Sequence, residues 1–247
     1  MRGLLKLAWL ETKIFVREPM GVFGTLGMPV LLFLAFTRLP IRAARGTSRF
    51  GMYDVSFAPV LASMMMVIAA VGSLIAIISI YREGGILKRL RATPLRPLTI
   101  LTAHVLVKLL FTLLTVLLLV AAGRRYYPAG ADFPVVDFVA ALLFATFSLL
   151  SIGFLAASLV PTARFAQPLA ALVLYPMLGV SGLFVPIDLL PPTVAQVARV
   201  LPLTHAVSLL TGIWHHHGWA DHVGDLIALA LTFVICATAS SIVFRWE

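Results

Sequence analysis

Six apolar runs mark the chain: Met20–Thr37, Val55–Ile80, Leu98–Ala122, Phe138–Val160, Phe165–Ile187 and Leu226–Phe244. Each approaches or exceeds the roughly 20 residues that a helix needs to cross a bilayer. None carries a charged side chain except the third, which holds Lys108 and, one turn before it, His104. Barrel strands would instead alternate apolar and polar positions over about ten residues. A helix satisfies its own backbone hydrogen bonds, and hydrocarbon offers no other partners. The pattern predicts an all-α integral membrane protein in which residues 1–247 form one transmembrane domain of six helices.

Three segments depart from this pattern. In residues 1–18, Leu4, Leu5, Ala8, Thr12 and Phe15 fall near one helical face, amid Arg2, Lys6, Glu11, Lys13, Arg17 and Glu18. The segment lacks the continuous apolar core of a cleaved signal peptide. It reads as an amphipathic helix in the headgroup plane with Trp9 at the interface, or as a cytosolic helix packed on another protein. Pro19 breaks it and turns the chain into the membrane.

Residues 81–97 are a basic loop. Gly84-Gly85 interrupts the incoming span, and Pro94 and Pro97 end the short stretch beyond it. Within that stretch Ile86, Leu87 and Leu90 share one helical face, with Lys88, Arg89 and Arg91 pointing elsewhere. Such a segment suits a docking element for a cytosolic partner, or a basic turn that only enforces topology.

Residues 188–225 are far longer than a turn. Thr193–Val200 reads as a short helix opened by Pro191 and Pro192. Leu201–Trp214 is apolar but too short to cross, which predicts a re-entrant or interfacial segment on the outer side. Trp214 and Trp219 are placed like interfacial anchors.

Composition strengthens the membrane reading. The chain is 61% hydrophobic and 12% charged, against about 45–50% and about 25% for soluble domains. Its mean hydropathy is +1.03. A soluble enzyme, a disordered tail and a disulfide scaffold are excluded, and Cys236 is the single cysteine. The net charge is +9, from nineteen Lys and Arg against ten Asp and Glu. These basic residues sit mostly between apolar runs, where they set topology and meet anionic headgroups; no nucleic-acid partner is expected. With both termini cytoplasmic, the inner segments hold eleven basic residues and the outer ones seven, Lys108 being the nineteenth. That bias favours cytoplasmic N- and C-termini. Arg38, Arg42, Arg45 and Arg49 in the first outer loop run against it, as a solvated loop or as a patch for anionic headgroups or an acidic substrate.

The motifs narrow the chemistry. No G-x-x-x-x-G-K-[ST] occurs, so the chain has no P-loop of its own. G-x-S-x-G and H-E-x-x-H are also missing, and none of the ten acids lies in an apolar run. That pattern disfavours an intramembrane enzyme and an ion-coupled carrier, which place such groups at membrane depth. His215-His216-His217 and His222, flanked by Asp221 and Asp225, offer zinc or copper ligands. Consecutive histidines diverge on a helix, however, and no metal is assigned; a stand-alone membrane enzyme or metal-handling protein built on this cluster is the alternative reading. His104 and Lys108 either snorkel toward the inner headgroups or face a wet cavity. Gly21, Gly24 and Gly27 in the first span, and Ala69, Ala70 and Gly72 in the second, leave flanks that permit close helix approach.

Taken together, these features resemble the type 2 ATP-binding-cassette permeases, and most closely the daunorubicin-resistance-type membrane subunits of bacterial drug exporters. Arg82-Glu83-Gly84-Gly85-Ile86-Leu87-Lys88-Arg89-Leu90-Arg91-Ala92-Thr93-Pro94 is similar to that family's coupling segment, although Gly85 stands where many relatives carry threonine or a larger residue. Ser181-Gly182-Leu183-Phe184-Val185-Pro186, then Leu190-Pro191 and Leu201-Pro202-Leu203-Thr204, resembles its fifth-span and outer-loop signature. The likeness implies that Arg82, Glu83, Gly84, Gly85, Leu87, Lys88, Arg89, Arg91 and Thr93 couple to a separate cytosolic ATPase subunit, with the N-terminal helix as a further contact. It implies a second permease copy or a homologue, a bacterial cytoplasmic membrane, and export of a drug-like compound, lipid or lipid-linked glycan. ATP and magnesium would be held by the partner subunit, with no cofactor on this chain. His104, Lys108, Ser181, Phe184, Pro186 and His205 are the candidates for the translocation path.

Overall fold

The computed structural model describes residues 2–17, 19–31, 34, 57–84, 97–126, 134–160, 162–183 and 187–243. Among them there is helix and no strand. The coupling positions Gly85, Leu87, Lys88, Arg89, Arg91 and Thr93, the path positions Phe184 and Pro186, and the arginine-rich outer loop lie outside the described residues.

Helix α1 (Arg2–Arg17) stops before Pro19, which opens the short helix α2 (Pro19–Val22) at its first position. There its missing N–H costs nothing. A π turn, Phe23–Gly27, continues α2. A methyl group on Gly27 would lie 2.9 Å from the ring of Phe23. This glycine therefore makes room for a side chain of its own helix.

The second apolar run is helical from α3 (Phe57–Val67) through a π turn (Ile68–Gly72) into α4 (Ser73–Glu83). Helices α5 (Pro97–Tyr126), α6 (Val135–Leu159) and α7 (Ala163–Val180) come next. After a short 3₁₀ turn come α8 (Pro192–Val200) and α9 (Pro202–Trp214), set at 80° to one another. The bend falls on Leu201, whose extended backbone (ψ 129°) is the conformation a following proline enforces. A second 3₁₀ turn, Trp219–His222, leads into α10 (Val223–Val243).

Among the described residues, three helices are long and apolar enough to cross a membrane: α5 over Val105–Ala122, α6, and the stretch Trp219–Ser240. The bent α8–α9 pair would make a fourth if counted as one span. The first two apolar runs are interrupted by π turns, and α7 ends at Val180 instead of reaching Ile187. The reason for that early end is Gly182, at φ +84° with Ile187 packed against it. The left-handed backbone there ends the helix before the apolar run is exhausted.

Helix α6 is the centre of the packing. Its small or slim residues Ala141, Ala145, Ser148 and Ala157 are buried, so α10, α9, α4 and the π turn Ile68–Gly72 approach it closely. Ser148 Oγ donates to the carbonyl of Leu229 on α10 at 2.8 Å, a buried bond between helices. Other hydroxyls, including Thr112, Thr115, Thr146 and Thr232, bond back to the carbonyl four residues earlier. No partner from another element is then needed in an apolar setting. Helix α10 turns Ile227, Leu231, Val234, Ile235 and Ile242 outward, as lipid-facing helices do.

Candidate functional site

Helix α1 lies along α5. Leu4, Ala8, Thr12 and Phe15 are half-buried, whereas Leu5, assigned to the same face by periodicity, is exposed beside Trp9. Phe15 meets Phe111 with ring centroids 4.3 Å apart, and Lys108 Nζ lies 4.7 Å from the Phe15 centroid. The cation on the third apolar run thus faces the N-terminal helix. It is held over an aromatic ring, an attraction of about 0.5–2 kcal/mol. Glu83 is exposed at the end of α4, and Gly84 N–H closes that end on the Ile80 carbonyl at 2.9 Å. The side chains of Arg82 and His104 lie outside what the structure describes.

A cavity of about 430 Å³ opens between the π turn Ile68–Gly72 and α7. Gly72, Ala76, Ala166, Ala170, Leu174 and Tyr175 supply most of its wall, and among the described residues no charged side chain lines it. Small side chains at 166 and 170, four apart on one face of α7, leave the space that larger ones would fill. Pro168 and Pro176 lie within α7, each removing a backbone hydrogen bond there. A π turn, with its i→i+5 bonding, is itself frequent at functional positions. Ser181, buried just beyond the cavity, donates to the Leu178 carbonyl at 3.3 Å. Neither Lys108 nor His205 lines this space.

His205 belongs to a separate polar cluster where α8, α9 and α10 meet. Its Nδ1 is 2.7 Å from Asp225 Oδ1, and its Nε2 is 2.8 Å from the Arg199 carbonyl. Asp225 Oδ2 accepts from Ser208 Oγ at 2.8 Å and from His222 Nδ1 at 2.9 Å. Nearby, Trp219 Nε1 donates to Asp137 Oδ1 at 2.9 Å, tying the start of α6 to the second 3₁₀ turn. Trp214 is not an interfacial anchor: it is 4% exposed and packs edge-on against Phe138 at 5.4 Å.

The histidine run does not converge on a metal. Helix α9 closes with His216 N–H bonded to the Ile213 carbonyl and His217 N–H to the Gly212 carbonyl. This is a Schellman cap, and it puts His216 at φ +64°. The His217 ring stacks on His222 with centroids 6.1 Å apart. His215 Nδ1 faces the Thr211 carbonyl, and His222 is held by Asp225. Among the described residues, no three His, Cys, Asp or Glu side chains are placed to share an ion.

Sequence reasoning assigned Asp225 only as a flank of the histidines and did not single out Ser208 or the α7 wall. The spacings His205–Ser208 and His222–Asp225, each three apart at a helical turn, were the available signal.

Residues 3–214, from α1 to the last residue of α9, match the sequence model of the ABC-2 type transporter family. The chain belongs to this family. It is an integral membrane protein and a transport subunit, the membrane permease part of an ATP-binding-cassette exporter; such permeases generally work with separate ATPase subunits. Comparison with curated proteins returned no match.

Proposed function

We propose that the chain is the six-span permease of a bacterial exporter that moves hydrophobic or amphipathic molecules out of the cytoplasmic membrane. Its termini face the cytoplasm, and it pairs with a second permease, a copy of itself or a homologue. Cytosolic ATPases supply the ATP and magnesium sites and engage Glu83–Thr93, with α1 as a second contact. Closure of the ATPases biases a two-state membrane body toward its outward form; the permease performs no bond chemistry.

The cavity between the π turn and α7 carries the cargo reading. A volume of about 430 Å³ lies within the range of drug-sized sites. Among the described residues its wall of Gly, Ala, Ile and Leu offers one phenol, Tyr175, and no charge. Leaving a charged cargo there unpaired costs several kcal/mol or more, so an apolar body with few polar groups is favoured.

Mass spectrometry of small molecules that copurify with the chain tests this. An apolar compound retained by the native protein and lost from Ala170→Phe is the expected result. Retention of the same compound by a well-folded Ala170→Phe variant would contradict it. The histidine cluster receives no functional role: the His215 ring is held by the Thr211 carbonyl, His222 by Asp225, and His217 stacks on His222.

A further inference from the structure

His205 bridges the 80° bend between α8 and α9, and both of its ring nitrogens meet acceptors that have no proton to give. Nδ1 faces a carboxylate oxygen of Asp225 at 2.7 Å, and Nε2 faces the Arg199 carbonyl at 2.8 Å. An imidazole carries two N–H groups only as the cation. The neutral ring can satisfy one contact. It keeps its proton toward the carboxylate, where the charge-assisted bond is stronger. The Nε2 lone pair is then pressed against a carbonyl oxygen at the end of α8.

We infer that His205 is a proton-operated clamp on the outer hairpin: as a cation it ties the last turn of α8 to α10 through Asp225, and on losing its proton it releases α8. The side chains of His205 and Asp225 remain 21% and 15% exposed, so protons reach them from the aqueous side.

Several other ionisable groups lie around this pair. On α10 the ionisable groups are Asp225 and, farther along, Cys236. The 3₁₀ turn brings Asp221, which accepts from Gly218 N–H, and His222, which donates to Asp225. Asp137 of α6 accepts from Trp219, and α8 contributes Arg199, whose carbonyl is the contact. His215, His216 and His217 belong to the cap of α9, α7 carries Arg164 and Tyr175, and α3 has no ionisable side chain. The charge sets the sign. A histidine that gains its partners as a cation contributes below its titration, and that contribution is lost as pH rises through it. The clamp holds in acid and opens toward alkali.

This inference goes beyond the transport reading and does not depend on cargo or direction. Its test uses the full chain in lipid nanodiscs, where both faces are accessible. Cys236→Ala removes the native thiol, and Ala198→Cys places one at a fully buried position in the last turn of α8. Val136→Cys, at an exposed site, corrects for the pH dependence of thiol reactivity. The ratio of maleimide labelling at 198 to that at 136 is expected to rise several-fold between about pH 6 and about pH 9. His205→Gln should flatten that rise, and Asp225→Asn should move its midpoint to lower pH. A flat ratio in the otherwise native chain overturns the inference without recourse to either variant. So does an unchanged slope in folded His205→Gln, or an unmoved midpoint in folded Asp225→Asn.

Discussion

Gly212 and His216 show how single positions set the hairpin's end. Replacing a glycine within a helix by alanine ordinarily gains up to about 1 kcal/mol. Here the added methyl would lie 1.8 Å from His222 Nε2, on a ring that Asp225 holds in place. Overpacking of this kind costs about 1–3 kcal/mol, so the clash wins. Gly212→Ala should lower the apparent Tm of the purified chain. In the background of His222→Ala, the same substitution should be neutral or stabilising, and equal losses in both backgrounds would refute the contact.

His216 sits where a Schellman cap ordinarily places glycine. Relief of its left-handed backbone should make His216→Gly more stable by about 1 kcal/mol. His216→Val should be less stable, again read as apparent Tm. The triple histidine gave no sign of this role in the sequence, because a string of residues shows neither the cap nor the positive φ.

At the scale of helices, the hydropathy pattern located α5, α6, α9 and α10 to within a few residues, because a long apolar run has few other ways to satisfy its backbone. It missed the end of α7, where Gly182 outweighs a continuing apolar run, and it missed both π turns, which leave the composition unchanged. The α8–α9 bend was signalled by Pro202 but not read from it: the residue before a proline is forced out of helical geometry by sterics alone.

Lys108 is the case where pattern left two readings open, and its position over Phe15 adds a third: an anchor for α1. Phe15→Ala and Lys108→Ala should each loosen that helix. Trypsin should then cut after Lys13 or Arg17 several-fold faster than in the native chain in nanodiscs. Unchanged cutting in both variants would mean that α1 is held elsewhere.

For the whole molecule, the membrane class and the permease resemblance were legible in residues 82–94 and 181–204, where glycine, proline and charge recur in a recognisable order. The cavity was not legible, because its wall joins the second apolar run to the fifth and only packing brings Gly72 against Leu174. The His205–Asp225 pair was hidden for the same reason, its members lying on two helices joined through the cap.

The central claim is that this body is driven through Glu83–Thr93 by a separate ATPase. The direct measurement is the ATP hydrolysis rate of a candidate cytosolic ATP-binding-cassette subunit, in nanodiscs with and without the permease. The native chain should bind that subunit and raise its rate, whereas Glu83→Ala with Arg89→Ala should abolish the stimulation while leaving the permease folded. Stimulation of equal size by the native and doubly substituted chains would contradict the account.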